Sequence, residues 1–361
     1  MDGLRGVAVL GVLCTHIGPQ DAEGLWIQPL VWFARLGWTG VDLFFVLSGF
    51  LITGILVNNR KSPNYFRAFY WHRTLRIFPL YFLLLVPITI SAIAAPGIYH
   101  SMLLADGELW PYWLFMSNLR PFFQIAAVTF LLPTWSLAIE EQFYVVWSVI
   151  AKFLDAKRVG WTAAALLLVT IGLRFWMMAA PSAIPGVIFY FTFTHLDGLC
   201  VGAMLRVALD SGRHHATLCF VARHWWVPAL IVAAILVADR NFGSTTLSNW
   251  YQPIMVRIGF TIISWLFGAV LLHGILIDGW VRLIADTGPL RAFGKYSYCI
   301  YLFAGPVLFA LSSVSVVIGA KFGTFILVFV QVLIMYLVGR FSYNFIEEPI
   351  LRMKRFMHYT G

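Results

Sequence analysis

The sequence predicts an all-α polytopic membrane bundle of about ten transmembrane helices, and three observations carry that prediction. Of the 361 residues, 60% are hydrophobic and only 11% are charged, against about 25% charged in soluble domains. Apolar runs approaching the ~20 residues needed to cross a bilayer recur along the whole chain with short connections. Lysines and arginines gather between those runs, so the net charge of +9 reads as loops on one membrane face and not as a nucleic-acid surface.

Taken in order, the expected spans are 4–18, 38–57, 75–95, 134–154, 161–180, 187–207, 225–239, 254–277, 295–316 and 323–345. The first is short, and no small-residue cleavage site follows His16, so it is not a cleavable signal. It holds Arg5 and His16, eleven residues apart. Eleven residues make about three helical turns, so both side chains leave one face, roughly 16 Å apart. An ionisable residue inside a span marks function by default. The second span opens on Gly40-Val41-Asp42-Leu43-Phe44-Phe45 and continues to Ser48-Gly49-Phe50. The third opens on His72-Arg73-Thr74-Leu75-Arg76, where Arg73 and Arg76 are neighbours on one helix face and suit a phosphate. The fourth contains Trp135-Ser136-Leu137-Ala138-Ile139-Glu140-Glu141. Two adjacent carboxylates within a span are unusual.

One apolar piece, 109–131, is interrupted by Asn118-Leu119-Arg120-Pro121. Parity decides it. With the N-terminus in the cytoplasm, a crossing there would put Lys152, Lys157 and Arg158 and every later basic cluster outside. Without it, most of the 25 lysines and arginines fall inside. The expectation is therefore ten spans, both termini cytoplasmic, and 109–131 re-entrant or surface-packed. The chain reads as a single domain, 1–361.

Each polar candidate has a plain alternative. Asp42 either orients His16, as the carboxylate of a triad does, or serves the N-terminus of its helix. Arg73 and Arg76 either clamp a phosphate or simply mark the inner face. One of Glu140 and Glu141 is expected to pair with Arg174 or Arg257. His195 and Asp197 either bind a sugar hydroxyl or complete the same polar network. Ser48 is a nucleophile or, with Gly49, a close-packing device. Glu347 and Glu348 read as caps or ion-pair partners. Cys14, Cys200, Cys219 and Cys299 have no metal or redox spacing, and no metal site is expected.

The DGLRG run with His16, GVDLFFVLSGF, HRTLRIFP, WSLAIEEQFY, YSYCIYL and the terminal Ile346-Glu347-Glu348-Pro349 resemble, in order and over essentially the whole chain, the membrane-bound acyltransferase-3 family. The resemblance implies transfer of an acyl group, commonly acetyl from cytoplasmic acetyl-CoA, to a hydroxyl of an extracytoplasmic or lipid-linked sugar. It makes Arg5 and His16 the essential pair, with His16 as general base and acyl-CoA held at Arg5, Arg73 and Arg76. It places the chain in a bacterial cytoplasmic membrane. The family's Arg-x-Arg pair is only half kept here, as Trp71-His72-Arg73. Family-like sequence starts at Asp2, so the first span is expected to extend upstream in a longer protein, while no fused soluble domain is expected. On the residues alone, two alternatives stand: a transporter or exporter of a glycan or small molecule, and an acyltransferase with another acyl donor. Oligomeric state is left open.

Overall fold

The structure, a computed structural model, describes residues 1–18, 28–97, 108–180, 184–241, 252–312 and 323–359. Among the described residues every regular element is helical. Helix α1 (Asp2–Ile17) has Asp2 in its first turn and His16 in its last, each charge type at the dipole end that favours it. Helix α2 (Gln28–Leu36) runs through one tight turn into α3 (Gly40–Asn58), and α4 spans Tyr65–Ala94. Helices α5 (Thr134–Phe153) and α6 (Ala156–Met178) follow, with Asp155 Oδ1 accepting the Arg158 backbone N–H at 2.9 Å to start α6.

The described part of 109–131 has no crossing helix. It is built of single turns, Trp110–Trp113, Ser117–Leu119 and Thr129–Leu131, with left-handed backbone at Phe115 and Gln124. Tyr112 pins it: its carbonyl accepts the Tyr81 hydroxyl at 2.7 Å, and its own hydroxyl accepts Val128 N–H at 2.9 Å. The expected span 187–207 is not one helix. It breaks into Pro185–Tyr190, a turn at Thr192–Thr194, and α7 (Asp197–Asp210). Helices α8 (His215–Arg223) and α9 (Trp226–Asn241) meet at a 46° bend. A π-turn, Met255–Gly259, leads into α10 (Phe260–Leu276). Helices α11 (Gly288–Lys295) and α12 (Ser297–Ala310) follow, and residues 313–316 of the expected ninth span lie outside the described residues. Helix α13 (Thr324–Ser342) continues through a second π-turn, Tyr343–Glu347.

Among the described residues five helices are long and apolar enough to cross a membrane, six if the bent pair is one span. The other expected spans are shorter or more polar: α1 has 16 residues, α7 and α12 have 14 each, and α5 carries Glu140, Glu141 and Lys152. Large apolar side chains such as Ile93, Leu168, Trp176 and Phe329 point outward, while Arg174, Asp197 and Asp42 are buried. That inverted distribution belongs to an integral membrane protein.

Glycine lets the central helices touch. A Cβ on Gly6 of α1 would stand 2.0 Å from the Leu290 carbonyl oxygen of α11, and one on Gly3 would stand 1.8 Å from the carbonyl oxygen of Ala285. A Cβ on Gly202 of α7 would stand 2.2 Å from the Val46 carbonyl oxygen of α3. Small residues at these crossings bring backbones together, as membrane packing requires.

Candidate active site

Arg5 leaves α1 beside Arg73 and Arg76 of α4, and these three side chains line two cavities at once. The first is a basic vestibule of about 340 Å³, which also takes in His72, Lys295 and Lys354 against one carboxylate, Asp2. Asp2 Oδ1 pairs with Arg5 at 3.4 Å. The chain's last described turn builds part of this wall. Asn64 Nδ2 donates to the His358 carbonyl at 2.6 Å and His72 Nε2 to that of Met357 at 2.7 Å, which folds Lys354 and Tyr359 over the vestibule. Lys295 lies 4.2 Å over the Tyr343 ring.

The second cavity, about 110 Å³, lies behind the three arginines and is lined by Phe44, Ser48, Ser136, Glu140, Tyr298 and Tyr301 among others. Ser48 donates to Glu140 Oε1 at 2.7 Å, and Tyr144 donates to Oε2 at 3.0 Å. Arg73 stacks on the Tyr144 ring with its guanidinium carbon 4.1 Å from the centroid. Arg76 is held by buried Glu347 at 3.6 Å.

Val41 and Tyr301 line this cavity and also a third one, of about 430 Å³. His16 faces into that third chamber with Trp38, Trp135, Phe189 and Tyr190. Among the described residues His16 has no hydrogen-bond partner, and its side chain is exposed. The Tyr301 hydroxyl lies 3.0 Å from the Pro133 carbonyl and 2.7 Å from Ser136 Oγ, which holds this ring at the border of the two chambers. From Arg5 to His16 the three cavities therefore run end to end along α1.

The structure corrects the expected pairings. Asp42 does not bond to His16. Its Oδ1 lies 3.2 Å from His195 Nε2, and His195 Nδ1 is 2.9 Å from the Phe189 carbonyl. The close crossing of α3 and α7 puts Asp42 and His195 together, both about 1% exposed. Asp42 is not the N-cap residue of α3, which is Thr39, but it lies in that helix's first turn, where a carboxylate suits the dipole. Glu140 and Glu141 do not pair with Arg174 or Arg257. Arg174 binds Asp197 through both terminal nitrogens, at 2.5 and 2.9 Å, and also reaches Thr261 Oγ1 at 2.6 Å. Arg257 contributes its carbonyl to Arg174 and donates to the Met178 carbonyl at 3.5 Å. The cation facing Glu140 and Glu141 is Arg73. Asp42–His195 and Arg174–Asp197 thus form two neighbouring buried pairs, and none of the four lines the three cavities. Glu347 and Glu348 are ion-pair partners, of Arg76 and of Arg352 at 3.2 Å.

Contributors that escape the sequence reading include Lys295, Lys354 and Tyr359 at the vestibule, Tyr144, Tyr298 and Tyr301 around the middle cavity, and Trp38, Trp135 and Tyr190 at the His16 chamber. The two lysines are visible in the sequence only as inner-face charge. Among the described residues no cluster of three or more His, Cys, Asp or Glu could hold a metal.

The acyltransferase-domain family matches residues 1–341 of this chain. The chain belongs to the acyltransferase-3 family. Among relatives of this acyltransferase domain, the peptidoglycan O-acetyltransferase OatA of Listeria monocytogenes is 28% identical over 99% of this chain and 56% of its own length. The putative peptidoglycan O-acetyltransferase YrhL of Bacillus subtilis is 27% identical over 97% and 54%, and the O-acetyltransferase OatA of Staphylococcus aureus 26% identical over 97% and 56%. The chain thus spans about half the length of these curated relatives. No solved structure matches it.

Proposed function

We propose that this chain moves an acetyl group from cytoplasmic acetyl-CoA to a hydroxyl of an extracytoplasmic cell-wall sugar, peptidoglycan being the first acceptor to test. The observation that carries this reading is the line of three cavities sharing walls at Arg5, Arg73 and Arg76 and again at Val41 and Tyr301. The vestibule suits the phosphates of the nucleotide: guanidinium forks bind phosphate bidentately, and clustered like charge in a low-dielectric mouth concentrates an anionic ligand. The narrow middle cavity suits an uncharged pantetheine arm. Ser48, Glu140 and Tyr298 offer its amides polar partners along an otherwise apolar wall.

The thioester then reaches the chamber of His16. His16 accepts the proton of the acceptor hydroxyl as its oxygen attacks the thioester carbonyl. The tetrahedral intermediate collapses, the C–S bond breaks, and the thiolate leaves with the proton returned from His16. Asp42 has no part in this reaction. In this reading the protein crosses the membrane ten times, with both termini and the vestibule cytoplasmic.

The test is thiol release from acetyl-CoA by purified protein in nanodiscs, with and without soluble peptidoglycan fragments. Glycan-stimulated release that His16→Ala abolishes, and that Arg73→Met weakens through KM, is the expected result. A folded wild-type protein that neither binds nor turns over acetyl-CoA overturns the reading.

A further inference from the structure

The His16 chamber differs in kind from the other two cavities. Among the described residues it carries no arginine, lysine or carboxylate, and its walls are mainly aromatic and aliphatic. Trp135 stands at its centre. Tyr190 meets Trp135 edge-on with ring centroids 5.2 Å apart, and Phe189 lies 4.9 Å from it at a tilt. Trp38 is braced from behind by Phe260, edge-to-face at 5.9 Å. These rings meet at differing angles, so they offer both faces and edges to the chamber.

Among the described residues, and besides exposed His16, one polar atom in this wall is unsatisfied. The Trp38 indole N–H is buried and has no hydrogen-bond partner. A buried donor left unpaired costs about as much as a lost hydrogen bond, and buried indole N–H groups ordinarily find an acceptor. Trp38 and His16 line the same chamber; the indole N–H itself is covered, and a turn of the Trp38 ring brings this donor toward the space that the base faces. Apolar walls carrying a few fixed polar groups are the usual construction of a small-molecule site. The volume, about 430 Å³, is toward the low end of the roughly 300–1,000 Å³ of such sites. It is large enough to hold a sugar ring.

We infer that this chamber is the acceptor subsite and that it takes one hexopyranose unit, with a C–H face of the sugar on the Trp135–Tyr190 corner, an oxygen of the sugar accepting from the Trp38 indole N–H, and the reacting hydroxyl turned to His16. The inference rests on the acyl-transfer reading above and adds to it the acceptor's recognition. Trp38 is then a specificity residue: it favours ring acceptors over small alcohols, which have no second oxygen placed to meet it.

The experiment uses the full chain in nanodiscs with acetyl-CoA and two acceptors in parallel, a soluble N-acetylglucosamine–N-acetylmuramic acid disaccharide and glycerol. The readout is the ratio of acetyl transferred to each. Trp38→Phe keeps a ring and removes the N–H, and is expected to lower the disaccharide-to-glycerol ratio about tenfold, through KM for the disaccharide. Tyr190→Leu, on the opposite wall, is expected to lower the same ratio. An unchanged ratio in both variants overturns the subsite and leaves the acyl-transfer reading standing. Equal loss of both acceptors in both variants also overturns it, because the rings are then packing elements. A wild-type chain that turns over no acetyl-CoA removes the acyl-transfer reading itself and this subsite with it.

Discussion

Removing the Asp42 carboxylate separates the two roles that the sequence leaves open for it. In the structure Asp42 serves His195, 3.2 Å away in a site both residues share at about 1% exposure. Asp42→Ala leaves the His195 Nε2 unpaired in the core and opens a small void. An unsatisfied buried polar group costs about 1–3 kcal/mol. The neighbouring Arg174–Asp197 pair keeps its own bonds, so the loss stays local. The expected outcome is a lower thermal midpoint, by several degrees at about 2–4 °C per kcal/mol for a large domain. Asp42→Asn, which retains a polar partner for the ring, is expected to lose less. Turnover per folded molecule and its pH profile should stay within about threefold of wild type, because the imidazole that Asp42 touches is not the one in the reaction chamber. The assay is a thermal melt in detergent paired with thiol release from acetyl-CoA across pH 5–9. The reasoning is refuted if Asp42→Asn leaves the midpoint unchanged while turnover falls about a hundredfold or its pH optimum moves, since either result ties Asp42 to His16.

Other expectations follow from the same geometry. Arg174→Met strands Asp197 without its counter-ion, and breaking such a buried pair costs about 3–5 kcal/mol; poor yield or an early melt is expected, with partial recovery when Asp197→Asn is combined with it. Arg73→Met removes both a vestibule cation and the charge facing Glu140 and Glu141; equilibrium binding should show acetyl-CoA affinity falling about 10–100-fold, as for loss of a charge-assisted hydrogen bond. Glu347→Gln frees Arg76 from its 3.6 Å tether, and a several-fold rise in KM for acetyl-CoA with little change in kcat is expected in steady-state kinetics. Gly6→Val forces a side chain where a Cβ alone would meet the Leu290 carbonyl oxygen at 2.0 Å; failure to accumulate as a monodisperse species is expected by size-exclusion chromatography.

Hydropathy and motif order were enough to read the membrane class, the family and the alignment of Arg5 with His16, because a helix period and a bilayer thickness are properties of one segment. The interruption at 109–131 was readable only when the break at Asn118, Arg120 and Pro121 was combined with the parity of the basic loops, a property of the whole chain. Pairings were not readable. Asp42 finds His195 across 153 positions of sequence, through a close α3–α7 contact that glycines such as Gly202 permit and that no local pattern announces. Glu140 was assigned to distant arginines because its span was treated as a separate rod; packing turns it toward Ser48 and Arg73. The broken span at 187–207 hid behind continuous hydropathy, since Phe189, Phe191 and Phe193 are as apolar in turns as in helix. Lys354 and Tyr359 join the vestibule only because the chain folds back over Asn64 and His72.

The most direct measurement reconstitutes the protein in vesicles of known orientation, with labelled acetyl-CoA on one side and soluble peptidoglycan fragments on the other. Label should reach the glycan when donor is on the vestibule side and acceptor on the His16 side, and His16→Ala should abolish it. Equal transfer with donor and acceptor confined together to the vestibule side would contradict a path that runs from the arginines through the bundle to His16.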